Sequence, residues 1–220
     1  MKKAILMSIK PGHCCNILNL IKDLELRKTA PKEWLDYFDF FKNGKKPEPV
    51  DVYIYCCKSN TQYLTGNSKV GYSILTKKAS DRFSNEDYFG NGKVIAKFTL
   101  KEIDKHHILP DERILPFNWN VEQKLDKLCL TKQEVMNYGK GQDYYAYLWH
   151  IDNLVIFDRP MLLKNFKRVK WEKCGVKDKD GLYQCHKCPY AIHYGHGFGD
   201  CGYDLPLKAP QSWSYVEVDL

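Results

Sequence analysis

Lys22, Glu25 and Arg27 stand at a K-x-x-E-x-R spacing within Ile17 to Lys28, ILNLIKDLELRK, shortly after a Ser8-Ile9-Lys10-Pro11 turn. If Leu24 to Arg27 open a strand, side chains alternate, so Glu25 and Arg27 leave one face while Leu24 and Leu26 point to the core. Lys22, at the end of the preceding helix, then leans over that pair. A carboxylate accepts hydrogen bonds from an amino edge, and Arg and Lys grip carbonyl or phosphate oxygens, so the set suits a planar polar ligand. An exposed ion pair of little energetic consequence is the alternative.

A second constellation lies between Trp171 and Leu205, WEKCGVKDKDGLYQCHKCPYAIHYGHGFGDCGYDL. Cys185 and Cys188 form C-x-x-C, whose spacing lets two thiolates chelate one metal through a tight turn; Cys174 and Cys201 flank them. Four thiolates make a closed tetrahedral zinc site, for which His186, His193 or His196 are alternative donors. The stretch is rich in glycine and poor in aliphatics, so a structural zinc would replace the core it lacks. A redox dithiol is the competing chemistry, but such pairs open a helix in a βαβ setting, and Pro189 with its glycine-rich sequel does not suit one.

Further along, LWHI carries Trp149 and His150, and PQSW carries Gln211, Ser212 and Trp213. Alternation puts Trp149 with Ile151 on one strand face and Leu148 with His150 on the other. Single tryptophans mostly pack. Together with Ser8 and Lys10, however, these residues supply the aromatic wall, amide, hydroxyl and cation that a flipped or single-stranded base requires around the Lys22, Glu25, Arg27 triad.

The elements that must position these groups follow from periodicity. Ala4 to Ile9 reads as a strand and Gly12 to Lys22 as a short helix with Ile17, Leu18 and Ile21 on one face. Strands follow near Leu24 to Arg27, Val50 to Cys57, Lys93 to Leu100, Tyr147 to Phe157 and Ser214 to Val218. Thr131 and Glu134, three apart, form a capping box for a helix running through Val135 and Tyr138. Two insertions interrupt the pattern: 31–49, dense in aromatics from Trp34 to Phe41, and 58–91, a polar loop or hairpin. In the second, Lys69, Lys77, Lys78 and Arg82 interleave with Tyr63, Tyr72 and Tyr88, a mixture able to track a nucleic-acid strand. Several short strands with one or two helices favour a small closed barrel over a Rossmann-type sheet; no G-x-G-x-x-G follows a strand and no phosphate-binding loop is present.

Composition agrees with an ordered, basic chain. Of 220 residues, 44% are hydrophobic and 14% aromatic, which excludes a largely disordered protein. Lysine and arginine number 34 against 27 acids, a formal charge of +7 that favours a polyanion partner. The apolar run after Met1-Lys2-Lys3 is far shorter than the ~20 residues of a membrane span. A cytoplasmic location is expected, and with it reduced thiols: most of the nine cysteines, among them Cys14, Cys15, Cys56, Cys57 and Cys129, are expected as small buried hydrophobes.

The chain resembles the ASCH family, a branch of the PUA-like superfamily of small β-barrels. The family pattern G-x-K-x-x-E-x-R is met at Lys22, Glu25 and Arg27, with Leu20 in place of its glycine. Further stretches resembling phage and bacterial ASCH proteins are MSIKP (7–11), ELRK (25–28), VYIYC (52–56), GKVIAKF (92–98), CLT (129–131), LWHIDNLVIFDRP (148–160) and APQSWSYVE (209–217). The resemblance implies a small PUA-like β-barrel with flanking helices, one domain over 1–220, which agrees with the α+β order of elements read above and carries the zinc-knuckle-like segment 171–205 as an insertion. It implies binding of nucleic acid or a modified nucleotide around the triad. One family branch deacetylates acetylated cytidine with a lysine, a threonine and a glutamate; these fall on Lys22, on Glu25 in place of the threonine, and on Glu134. Replacing the hydroxyl removes the expected nucleophile. A ribonuclease needs only a base and cations, so a hydrolase acting on RNA or a modified nucleoside is the alternative. A phage protein that blocks a host defence enzyme through a protein partner is a third class.

Overall fold

In the computed structural model the described residues are 2–76, 88–109, 114–115, 121–140, 142–169, 179, 191–193, 199–201, 207 and 209–218. They form an α+β structure built mainly of strands. One six-stranded sheet has the order β10-β6-β3-β1-β14-β11, with β1 Lys2–Ile9, β3 Val50–Cys56, β6 Val94–Leu100, β10 Asp152–Met161, β11 Phe166–Arg168 and β14 Trp213–Val218. Only β1 and β3 run parallel in it. A second, antiparallel sheet has the order β2-β9-β7-β8, with β2 Leu24–Arg27, β7 Ile103–Ile108, β8 Ile114–Leu115 and β9 Tyr144–His150. Two hairpins complete the strands, β4 Tyr63–Asn67 with β5 Gly71–Leu75, and β12 Ala191–His193 with β13 Gly199–Cys201.

Among the described residues no ladder joins the two large sheets, and no closed barrel is seen. The sheets instead share a core. Ile5, Met7 and Ile9 of β1, Val52 and Ile54 of β3, and Ile95 and Phe98 of β6 meet Tyr147 and Trp149 of β9 and Ile17 of α1, Pro11–Leu18. The intervening residues of β1 and β3 are buried too: Ala4, Leu6, Tyr53 and Tyr55 pack with Phe166, Val216 and Val218 on the far face. Continuous apolar runs such as AILM and VYIYC suit strands covered on both sides.

The second sheet is likewise covered twice. Leu24, Leu26, Ala146 and Leu148 pack under α3, Val121–Leu128, and α4, Lys132–Tyr138, through Leu128 and Val135. The Thr131–Glu134 capping box starts α4 with both of its hydrogen bonds formed. The stretch expected as one strand from Tyr147 to Phe157 is two, because the chain turns at Ile151, whose N–H donates to Asp23 O, and Asn153 takes a left-handed conformation. The insertion 31–49 begins with α2, Lys32–Phe38, which buries Trp34 against the shared core, and a 3-10 turn, Phe40–Lys42, where Phe40 and Phe41 are 88% and 93% exposed. No helix among the described residues is long and apolar enough to cross a membrane.

A buried charge cluster at the seam between the sheets

The residues of β2 reach the seam because the chain reverses sharply after α1. Asn19 caps the helix, Leu20 adopts φ +58°, and Ile21 and Lys22 N–H groups both donate to Asn16 O. Helix α1 therefore ends at Leu18 and not at Lys22, and a left-handed residue occurs at Leu20, which costs a side chain with a Cβ about 1–2 kcal/mol. The reversal turns Lys22 inward. Its Nζ donates to Leu128 O at 2.6 Å, a carbonyl left without an intrahelical partner at the end of α3, and Asp23 N–H takes Lys127 O. A cation at a helix C-terminus also meets the negative end of the helix dipole.

In β2 the register sets Glu25 opposite Trp149 and Arg27 opposite Tyr147, so these four side chains leave the sheet on the face of the shared core. The triad is not an exposed ion pair. Side-chain exposure is 1% for Lys22 and 8% for both Glu25 and Arg27. Glu25 Oε1 lies 3.0 Å from Arg27 Nη2, and Oε2 lies 3.3 Å from Lys22 Nζ, so the carboxylate is shared by both cations. Arg27 Nη2 donates to Ser8 O at 2.8 Å, and Nη1 reaches Ser212 Oγ at 3.5 Å, while Ser8 N–H donates to Ser212 O. Side chains thus tie β2 to the ends of β1 and β14 where no ladder does. Burial alone would push the Glu25 carboxyl up, but Lys22, then Arg27 and His13, outweigh it and hold the group below the usual carboxylate value.

Arg27 Nε and Trp149 Nε1 are buried without a hydrogen-bond partner in the protein, while Glu25 Oε2 is paired with Lys22 and Ser8 Oγ lies beside the Cys57 thiol. Most buried polar atoms are paired, so two unpartnered donors in one cluster set it apart from an ordinary core.

Of the other residues singled out in the sequence, Trp213 stacks obliquely on Trp149 at 5.6 Å and donates through Nε1 to Thr29 Oγ1. Lys10 is exposed at the start of α1. Three residues are not brought into the cluster. His150 pairs with Leu24 and faces α3, where its Nε2 lies 3.1 Å from Asp104 Oδ2, because odd and even residues of β9 take opposite faces. Glu134 is exposed and its carboxylate is occupied by Thr131 N–H and Oγ1, the price of the capping box. Gln211 is exposed before β14. Cys174, Cys185 and Cys188 lie outside the described residues; Cys201 ends β13, opposite Ala191. Cys14 and Cys56 are buried free thiols, whereas Cys15, Cys57 and Cys129 are half-buried. Lys69 is exposed at the tip of the β4–β5 hairpin, and Lys77, Lys78 and Arg82 lie outside the described residues; Tyr72 and Tyr88 pack edge-on at 5.3 Å against the core instead of standing free for bases.

His13 was not singled out, although Lys10-x-x-His13 on the first turn of α1 is a helical i,i+3 pair. Its ring lies within electrostatic reach of Glu25, Lys22, Lys10 and Glu134; burial, then Lys22 and Lys10, depresses its pKa against the pull of the two carboxylates, leaving it neutral at pH 7. Tyr138 stands near Arg27 and Glu25, its phenol pushed up by burial.

No protein-family model and no curated protein matches the chain. Among solved structures it is similar to the crystal structure of ASCH from Zymomonas mobilis, at 12% identity and a TM-score of 0.40 over 97% of this chain and 87% of that one. A serine-to-alanine variant of the same protein gives 11% identity and a TM-score of 0.38 over 97% and 88%.

Proposed function

We propose that the chain is a nucleic-acid or nucleotide-binding protein of ASCH type that holds a planar polar group, a base or modified base, at Ser8, Lys22, Glu25, Arg27 and Ser212, against the Trp149–Trp213 wall. The observation that carries this is the buried three-charge cluster in which two donors, Arg27 Nε and Trp149 Nε1, are left unpartnered. The whole chain, 1–220, is read as one cytoplasmic domain of PUA-like character, with Lys10, Lys69 and the basic loop attracting phosphates and a structural zinc at Cys174, Cys185, Cys188 and Cys201.

A hydrolytic role is the second reading, favoured by one observation: His13, neutral at pH 7, lies close enough to Glu25 and Lys22 to feel both charges. It would serve as the general base, with Lys22 and Arg27 steadying developing negative charge. Incubation with total RNA, DNA and nucleosides, scored for retention and for product masses, separates binder from enzyme. Arg27→Lys keeps the charge but removes the planar fork. It should cost at least about tenfold in affinity, ~1.4 kcal/mol. Wild-type behaviour of Arg27→Lys and Glu25→Gln toward every nucleic acid and nucleoside, with both variants folded, would leave the cluster as scaffold. Binding to neither polyanion nor nucleoside moves weight to a protein partner.

A further inference from the structure

A cavity of about 570 Å³ follows the edge of β7, on the far side of β9 from the charge cluster. Its walls come from three distant parts of the chain: Trp34, Tyr37 and Phe38 of α2, Lys46 of the loop after it, and Lys124 of α3, with Lys105 on the strand between them. The volume falls in the range of small-ligand sites, roughly 300–1,000 Å³. Its lining combines aromatic rings with ammonium groups. Tyr37 stands edge-on to Trp34 at 5.9 Å and Phe38 is tilted against it at the same distance, so Tyr37, 40% exposed, presents part of its ring.

Three ammonium groups line the cavity against two carboxylates, Glu102 and Asp104. Asp104 is already engaged, pairing with Lys124 and with His150, so it repels an incoming anion little. Lys105 lies 4.4 Å from the centre of the Tyr145 ring and 6.0 Å from that of Phe38, held by aromatic faces and not by an acid. Trp34, 2% exposed, packs into the core behind this wall and fixes where Tyr37 and Phe38 stand.

We propose that this cavity is a second binding site, separate from the charge cluster, for a phosphorylated aromatic ligand of the nucleotide class. The base lies along Tyr37 and Phe38, and the phosphate sits between Lys46 and Lys105. The same chemistry comes from a free nucleotide or from one residue of a longer strand.

The test uses the full chain, a fluorescent N-methylanthraniloyl-ADP probe and a short single-stranded oligonucleotide at low ionic strength. Lys46 and Lys105 are exposed, so Lys46→Ala/Lys105→Ala should fold as wild type. The double variant should lose at least about tenfold in affinity for the probe, or for the oligonucleotide if only strands bind, while Arg27→Lys binds the probe as wild type does. Displacement of the probe by unlabelled ADP identifies a free nucleotide; binding of the oligonucleotide alone identifies a strand. Equal displacement by inorganic phosphate would mean a bare anion site and overturn the proposal. So would probe and oligonucleotide binding that the double variant leaves intact, or no binding of either. Loss of oligonucleotide binding in Arg27→Lys with the probe unaffected would concern the charge cluster only.

Discussion

Replacing Glu25 by Gln converts a buried carboxylate flanked by two cations into a neutral amide of the same shape. Lys22 and Arg27 then keep their charges at 1% and 8% side-chain exposure with their shared counter-ion gone. Removing one partner of a buried ion pair costs about 3–5 kcal/mol, far above the ~0–1 kcal/mol of an exposed pair. For a chain of this size that corresponds to a fall of roughly 6–20 °C in Tm. The sign of the pH dependence is fixed by the depressed Glu25 pKa: its stabilisation is present above the ordinary carboxylate value of 4.5 and is lost as pH falls through the lower folded-state value. The gap between wild type and Glu25→Gln should therefore be widest near pH 7 and close on acidification. Adding Lys22→Met removes one of the stranded cations, so the double variant should be more stable than the sum of single losses by about 0.5–3 kcal/mol. Urea unfolding at pH 7 and pH 3 measures all three quantities. A loss under ~1 kcal/mol at pH 7, a gap indifferent to pH, or strict additivity refutes a buried shared counter-ion.

Three further outcomes are expected. Leu20→Gly should leave stability unchanged or raise it by up to ~1 kcal/mol, because φ +58° costs a residue with a Cβ and the leucine is exposed; a loss of more than ~1 kcal/mol in urea unfolding speaks against strain there. His13 should titrate below its ordinary 6.5, so the stability it contributes is complete above that pH and declines as pH falls below it; an imidazole NMR titration showing a raised pKa in the free protein contradicts this. Protein made in zinc-supplemented medium should contain about one zinc per chain, lost on substituting Ser at Cys185 and Cys188; metal-free protein of unchanged thermal stability would rule the site out.

Much of the local structure was written in short-range pattern. Alternation in LELR places Glu25 and Arg27 on one face of β2, since a strand repeats every two residues whatever surrounds it. Thr131 and Glu134 specify the start of α4 through bonds that span only three residues. Long-range packing decided the rest. The four residues of β2 are all buried because α3 and α4, a hundred residues later, cover the face opposite the shared core, and no period in LELR encodes that second cover. The first of these helices also supplies the Leu128 carbonyl that draws Lys22 in. Residue type and spacing determined which charges share a face; the burial that makes their pairing strong, and leaves Arg27 Nε and Trp149 Nε1 unpartnered at the seam, arises only where two sheets, two helices and a reversed helix end meet.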